Sequence, residues 1–147
     1  MMYSYVGDTF RSNVAEELTG VYTLADRITG WLIVTDGFVP RLTAYTQDVT
    51  PGLVSYSFTD GHQTLTQANS TGAFALAVHP YVAIDLNCCW SVFINTPTSG
   101  ITTTMSGDRY DHAWIGADNV GGNSLRADSA RASDARPSGR WADRPGR

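Results

Sequence analysis

The sequence predicts an all-β domain, mainly antiparallel, in the form of a β-sandwich or a small barrel of about seven or eight short strands. Two observations lead to this fold class. Thr, a residue that favours strands, occurs seventeen times in 147 residues, whereas Glu occurs twice. Turn signals also recur about every eight to twelve residues, between segments in which apolar and polar residues alternate. One short N-terminal helix and an extended C-terminal arm complete the predicted architecture.

A helix is predicted near the N terminus, over residues 8–18, because three apolar residues recur there at intervals of four. These residues are Phe10, Val14 and Leu18. Asp8 or Thr9 can cap the helix, and Gly20 follows its end. The apolar stripe is narrow, so the helix needs a surface to pack against. Residues 1–20 are therefore interpreted as an N-terminal segment that precedes the β-rich domain.

Residues 53–68 carry the pattern of a β-hairpin. Apolar residues alternate with Ser and Thr from Val54 to Phe58, which is typical of a strand with one buried face. Asp60 and Gly61 then match the two positions of positive φ in a type I′ turn, after which the chain returns. The sequence therefore predicts two strands joined by a two-residue turn.

Five further segments of the β-rich domain, residues 21–122, have strand patterns. They cover residues 21–24, 30–35, 74–78, 81–94 and 101–105. A helical face through Leu24, Ile28 and Leu32 is an alternative for the first two segments. Gly30 and the β-branched residues that follow it argue against that helix, so strands are preferred there.

The C-terminal segments are expected to be less regular. Residues 106–122 are interpreted as a loop with one short strand around Trp114. Residues 123–147, rich in Arg, Asp, Ala and Ser, cannot bury enough apolar surface to fold alone. This tail is interpreted as disordered, or as an arm that is ordered by a neighbouring subunit with Trp141 as its anchor. The predicted partner contacts are Arg126, Arg131, Arg136, Arg140, Trp141 and Arg144.

The charge distribution argues against nucleic acid as the main partner. Residues 1–124 carry four Arg and eleven acidic residues, so their field repels phosphates. Residues 125–147 carry six Arg and three Asp, and weak contact with nucleic acid is expected only there. No stretch approaches a run of about eighteen apolar residues, and the N-terminal residues lack the pattern of a secretory signal, so no membrane association is expected.

Candidate catalytic and metal-binding chemistry is sparse. Four polar side chains in the last predicted loop could supply ligands to a divalent cation, although such residues also serve turns and solvation. They are Asp108, Asp111, His112 and Asp118. We prefer the second interpretation and predict no metal and no other cofactor. Cys88 and Cys89 lie in an apolar strand where thiols stay protonated, and His62 and His79 flank a turn and a strand end, so no catalytic residue is predicted.

Together these features predict a non-enzymatic structural subunit of a repeated assembly. A virion component is favoured, such as a capsid decoration, head-to-tail joining or tail protein of a tailed virus, with copies of itself and other structural subunits as partners. The virion is then the expected location, with a soluble cytoplasmic protein as the alternative. The alternative function is a β-sandwich binding module that recognises carbohydrate or protein through loop aromatics. These aromatics are Tyr45, Tyr81, Tyr110 and Trp114.

Overall fold

Alternating burial along the chain produces two antiparallel sheets. The computed structural model describes residues 2–10, 20–36, 47–76, 90–106, 108–124 and 140–144. Its strands are β1 (Met2–Thr9), β2 (Arg27–Val34), β3 (Gln47–Asp48), β4 (Leu53–Thr59), β5 (Thr64–Thr66), β6 (Thr71–Leu76), β7 (Trp90–Asn95), β8 (Ser99–Ser106), β9 (Asp108–Ile115), β10 (Asp118–Ser124) and β11 (Arg140–Arg144). One turn of 3-10 helix, Thr50–Gly52, precedes β4.

The two sheets have different sizes. The five-stranded sheet has the order β11-β1-β2-β4-β5, and the six-stranded sheet has the order β10-β9-β8-β7-β6-β3. Every pairing in both sheets is antiparallel, which confirms the predicted class, although the described residues contain more strands than expected. No helix in these residues is long and apolar enough to cross a membrane.

Side chains from both sheets form one apolar core. It includes Tyr3, Tyr5, Ile28, Leu32, Val34, Tyr56, Phe58 and Leu65 from the five-stranded sheet, and Phe74, Leu76, Trp90, Val92, Ile94, Ile101, Ala113 and Val120 from the six-stranded sheet. Across the core, the ring centroids of Tyr5 and Trp90 lie 5.8 Å apart, and those of Tyr56 and Phe74 lie 4.9 Å apart. Burial of each large apolar side chain contributes about 1.5–3 kcal/mol. The arrangement is therefore sandwich-like, with the inner faces of the sheets in contact.

A glycine in β2 lets one of these aromatic rings lie against the backbone. Gly30 pairs directly with Phe58 of β4. A Cβ atom at Gly30 would lie 2.3 Å from Phe58 Cδ1 and 2.7 Å from the carbonyl oxygen of Ser57. Any larger residue would therefore have to displace both the ring and the neighbouring strand.

The N-terminal segment differs from the predicted helix at its start. Asp8 and Thr9 belong to β1, and residues 11–19 of the predicted helix lie outside the described residues. Tyr3, Tyr5 and Gly7 are the buried positions of β1. Two aromatic residues and one glycine at alternate positions are only a weak signal for a strand. For this reason β1 was not predicted.

The short strand predicted around Trp114 is present in β9, but the loop predicted for the rest of residues 106–122 is wrong. Strands β9 and β10 occupy most of it and are joined by a tight turn at Gly116 and Ala117, where Gly116 has a φ of 59°. The alternation in β9 is inverted, because Asp111 and Ala113 are buried whereas Tyr110, His112 and Trp114, which alternate with them, are partly exposed. An analysis that expects apolar residues inside could not recognise the full length of this strand.

The end of the predicted arm also differs from expectation. Residues 140–144, which include Arg140, Trp141 and Arg144, form β11 and pair with β1 of the same chain. The register runs from Met2 opposite Arg144 to Val6 opposite Arg140. The other predicted contact residues, Arg126, Arg131 and Arg136, lie outside the described residues.

Candidate functional site

The loop between β4 and β5 organises a buried polar cluster. The predicted hairpin is confirmed, but its two-residue type I′ turn is wrong. Thr59 pairs with Thr64, so four residues, 60–63, make up the loop. Gly61 has a φ of 96°, which confirms that glycine is needed at this position. The longer loop leaves room for the Asp60 side chain to accept hydrogen bonds from the residues that follow it.

Asp60 is the centre of this cluster. Its side chain is fully buried, at 0% exposure. Oδ1 accepts hydrogen bonds from the backbone N–H groups of His62 and Gln63, both at 2.9 Å. Oδ2 accepts from Tyr22 Oη at 2.5 Å and from Gln63 Nε2 at 2.8 Å. Four donors replace the water that the carboxylate loses on burial, so its burial is compatible with a stable fold.

Tyr22 is held in its protonated form. Burial, followed by the hydrogen bond to Asp60 and the charge of that carboxylate, raises the pKa of Tyr22 far above its ordinary value. The phenol therefore donates to Asp60 at all physiological pH values. In this state Tyr22 contributes to the buried cluster as a hydrogen-bond donor.

Gln63 connects the two sheets. Its Nε2 atom donates to the carbonyl oxygen of Trp114 at 3.1 Å, in addition to Asp60. Trp114 lies in β9 of the six-stranded sheet, whereas Gln63 follows β4 of the five-stranded sheet. The amide therefore joins the sheets at this end of the sandwich-like core by hydrogen bonds rather than apolar contact.

His62 joins the hairpin loop to the loop before β2. Its Nε2 atom lies 2.7 Å from Asp26 Oδ2, and its ring meets that of Tyr22 edge to face at a centroid distance of 5.3 Å. Asp26 Oδ2 also accepts from the backbone N–H of Thr23 at 2.8 Å. An imidazole oriented by a carboxylate occurs in general-base catalysis. The contact of His62 with Asp26 links the hairpin loop to the loop before β2.

The four metal candidates of the sequence occupy different environments. Asp111 is buried and accepts a hydrogen bond from Tyr5 Oη, which lies 2.8 and 2.9 Å from its two carboxylate oxygens. His112, the next residue of β9, lies on the opposite face of the sheet. Asp108 begins β9, and Asp118 begins β10 beside Gly20. Within the described ranges, no three His, Cys, Asp or Glu side chains are placed to share a metal ion.

The outer face of the six-stranded sheet carries a row of aromatic side chains. Tyr110, His112 and Trp114 occupy alternate positions of β9, and the rings of Tyr110 and His112 stack at 5.7 Å with an interplanar angle of 23°. Phe93 of β7 is 44% exposed. Phe93 pairs with Thr102, which pairs with His112, so these side chains share one face. We refer to Phe93, Tyr110, His112 and Trp114 as the outer aromatic face.

Two of the four loop aromatics of the alternative hypothesis belong to this face. Tyr110 and Trp114 are presented by a strand and not by a loop. Tyr45 and Tyr81 lie outside the described residues, as do His79, Cys88 and Cys89.

Sequence reasoning missed Phe93 and the Asp60 cluster for different reasons. The alternation of Trp90, Val92 and Ile94 as buried residues already implied that Phe93 points away from the core. A signal for Phe93 was therefore present in the sequence. The contact of Tyr22 with Asp60 joins positions 38 residues apart, and no local pattern encodes it.

No protein-family model, curated protein or solved structure shows significant similarity to this chain. The function must therefore be argued from the geometry of the described residues alone.

Proposed function

We propose that this protein is a non-enzymatic structural subunit of a repeated assembly and that the outer aromatic face contacts neighbouring subunits. The observation that carries this proposal is the exposure of Phe93, at 44%, on the same sheet face as Tyr110, His112 and Trp114. Aromatic side chains are enriched at the centres of protein interfaces, where they bury large areas at a low cost in side-chain entropy. The outer aromatic face therefore has the composition of an interface centre.

The surroundings of this face support the same function. An antiparallel sheet with one solvated face usually places polar residues outside and apolar residues inside. Strand β9 reverses that order, since Asp111 is buried and held by Tyr5 while the rings point outward. Thr102 lies between Phe93 and His112, and Asn95 lies on the same face as Phe93. Exposed aromatic side chains among polar neighbours are typical of specific protein contacts.

The kind of assembly that we propose is a virion. All-β domains with two sheets serve as building blocks of viral capsids. A capsid decoration, head-to-tail joining or tail protein of a tailed virus fits a small subunit with such an outer face. Its partners would be copies of itself and other structural subunits, and contact with nucleic acid would be confined to the Arg-containing tail, residues 125–147.

A binding module is the second candidate function, and one observation favours it. Tyr110 and His112 stack nearly parallel, and Trp114 follows on the same strand face. A row of rings on a sheet is a surface on which a sugar ring or a peptide can lie. The same residues would then bind carbohydrate or protein while the chain itself remains a monomer.

Phe93→Ser tests the proposal, with Val54→Ser as the matched control. Val54 is also exposed, at 58%, but it belongs to β4 in the other sheet. Light scattering and negative-stain imaging should show symmetric oligomers of the wild type at micromolar concentration. We expect Phe93→Ser to shift these oligomers to monomers and Val54→Ser to leave them unchanged.

Two results would contradict this function. A wild-type protein that is monomeric at every concentration, with saturable binding on a glycan array, would support the binding module. Oligomers that respond equally to both substitutions would show that the outer aromatic face is not the contact surface.

A further inference from the structure

We infer that β11 is exchanged between copies, so that Arg140–Arg144 of one chain completes the five-stranded sheet of another by pairing with its β1. This inference rests on the proposed function, because it requires neighbouring copies. It also specifies the partner chemistry: an extended strand from a second copy of this chain, bound through backbone hydrogen bonds.

The geometry of the pairing does not depend on which chain supplies the strand. Strand β11 lies at the end of its sheet and, among the described strands, pairs with β1 alone, in a five-residue antiparallel register. A strand with the same sequence from a second copy would form the same backbone hydrogen bonds in the same register. The pairing energy is therefore equal within one chain and between chains, which is the condition for exchange of an element.

The chain between the last two strands is long enough to reach a neighbour. Strand β10 ends at Ser124 at the edge of the six-stranded sheet, and β11 begins at Arg140 at the edge of the other sheet. A segment of the length of residues 125–139, fully extended, reaches about 50 Å. Packed sheets lie about 10 Å apart, so a segment of this length can reach beyond the two sheets of its own chain.

Charge favours contact of the tail with the body of any copy. Residues 125–147 carry six Arg and three Asp, whereas residues 1–124 carry four Arg and eleven acidic residues. The two parts therefore attract each other within and between chains. In dilute solution, β11 of the same chain is present near β1 at a millimolar effective concentration, so it competes well with β11 of other copies for pairing with β1. In an assembly, a neighbour's strand is held at a comparable concentration, and exchange then adds a link between subunits.

Exchange keeps the edge of β1 covered, as pairing within one chain also does. Without β11, strand β1 would present unpaired backbone groups beside Val6, whose side chain is 50% exposed. Such edges lead to uncontrolled pairing. A ring in which each copy donates β11 to the next leaves no copy uncapped.

Isotope-coded crosslinking tests the inference. Ser4 and Ala142 lie directly opposite each other in the pairing of β1 with β11. The double variant Ser4→Cys and Ala142→Cys is prepared both unlabelled and uniformly labelled with 15N, and the two samples are mixed, unfolded and refolded together. After assembly, a short thiol-specific crosslinker is added and mass spectrometry identifies the peptides joined through positions 4 and 142. Peptide identification keeps Cys88 and Cys89 from confusing the result.

If β11 is exchanged, some linked peptide pairs combine one labelled and one unlabelled peptide. When the two samples are mixed in equal amounts, these mixed pairs should approach one half of all linked pairs in the assembled fractions. Pairing within one chain predicts linked peptides of uniform isotope content. The control variant carries Thr64→Cys in place of Ser4→Cys, at the opposite edge of the same sheet, and should give almost no links to position 142.

The outcomes separate the two proposals. Oligomers that depend on Phe93 but contain only links of uniform isotope content would refute strand exchange and leave the proposed function standing. A protein that remains monomeric, with only such links, would refute both. Mixed-isotope links in oligomers that do not depend on Phe93 would support exchange and refute the role of the outer aromatic face.

Discussion

Replacement of Asp60 by Ala should destabilise the fold strongly, because a single carboxylate satisfies four donors there. The substitution leaves the buried hydroxyl of Tyr22 without its acceptor and releases two backbone N–H groups in the loop. Gln63 Nε2 retains the carbonyl oxygen of Trp114. The change therefore removes the centre of the network but leaves part of the connection between the sheets.

The magnitude follows from these contacts. A buried donor that loses its acceptor costs about 1–3 kcal/mol, and each hydrogen bond to a charged group contributes about 1.5–3 kcal/mol. Removal of the charge also relieves its desolvation, which offsets part of this sum. We expect a loss of about 3 kcal/mol in the free energy of unfolding, a large share of the ~5–15 kcal/mol typical of a domain. Asp60→Asn keeps one acceptor oxygen, which can serve two of the four donors, and should lie between the wild type and Asp60→Ala.

Urea unfolding followed by circular dichroism measures this loss. The matched control is Asp48→Ala, since Asp48 is exposed and accepts one hydrogen bond, from the backbone N–H of Thr50 at 3.0 Å. It should cost less than about 1 kcal/mol. If Asp60→Ala costs no more than Asp48→Ala, the buried network does not stabilise the fold and the reasoning above is refuted.

Three further substitutions test the fold at single positions. Gly30→Ala should cost about 1–3 kcal/mol in urea unfolding because its Cβ would overlap Phe58, and a neutral result would contradict that close approach. Gly61→Val should lower the free energy of unfolding by about 1 kcal/mol or more because Gly61 has a φ of 96°. The control is Gly116→Ala, which measures the backbone cost alone, because Gly116 has a φ of 59° and no atom lies within 4 Å of the added Cβ. Since the pKa of Tyr22 is raised in the folded state, the unfolded chain releases this proton first, so stability falls as pH rises above about 10. Tyr22→Phe should reduce the slope of the free energy of unfolding against pH by up to about 1.4 kcal/mol per pH unit. If urea unfolding gives the same slope above about pH 10 for the wild type and Tyr22→Phe, Tyr22 is not the cause of the alkaline loss of stability.

Strands were predicted correctly where buried and exposed residues alternate over several positions. The prediction was wrong where contacts between distant residues determine which side chains are buried. Strand β4 was recognised because Tyr56 and Phe58 are buried between polar neighbours. Strand β9 was predicted only around Trp114, because its buried Asp111 requires a hydroxyl donor from Tyr5, 106 residues away. Burial of a carboxylate contradicts every local rule until that partner is known.

The same limit applies to the candidate sites. Asp60 and Gly61 correctly marked a turn between two strands, but Asp60 could not be identified as a buried centre because its partner Tyr22 comes from a distant element. The contact of the neighbouring Gln63 with Trp114 is equally distant in sequence. The residues of the outer aromatic face could be identified one by one. Their alignment could not, since it depends on the register of β7, β8 and β9. Registers are set by the whole sheet and not by any one strand.

The pairing of the first strand with the last has a consequence for the order of folding. Strand β1 leaves the ribosome long before β11 has been synthesised, so the five-stranded sheet is incomplete until residues 140–144 have emerged. Closure of this pair spans nearly the whole described chain and is slow for that reason, because the entropy of a large loop must be lost first. Nascent chains on one polysome are close together during this interval. The last strand of an earlier chain can then meet the first strand of a later one before either protein has finished folding.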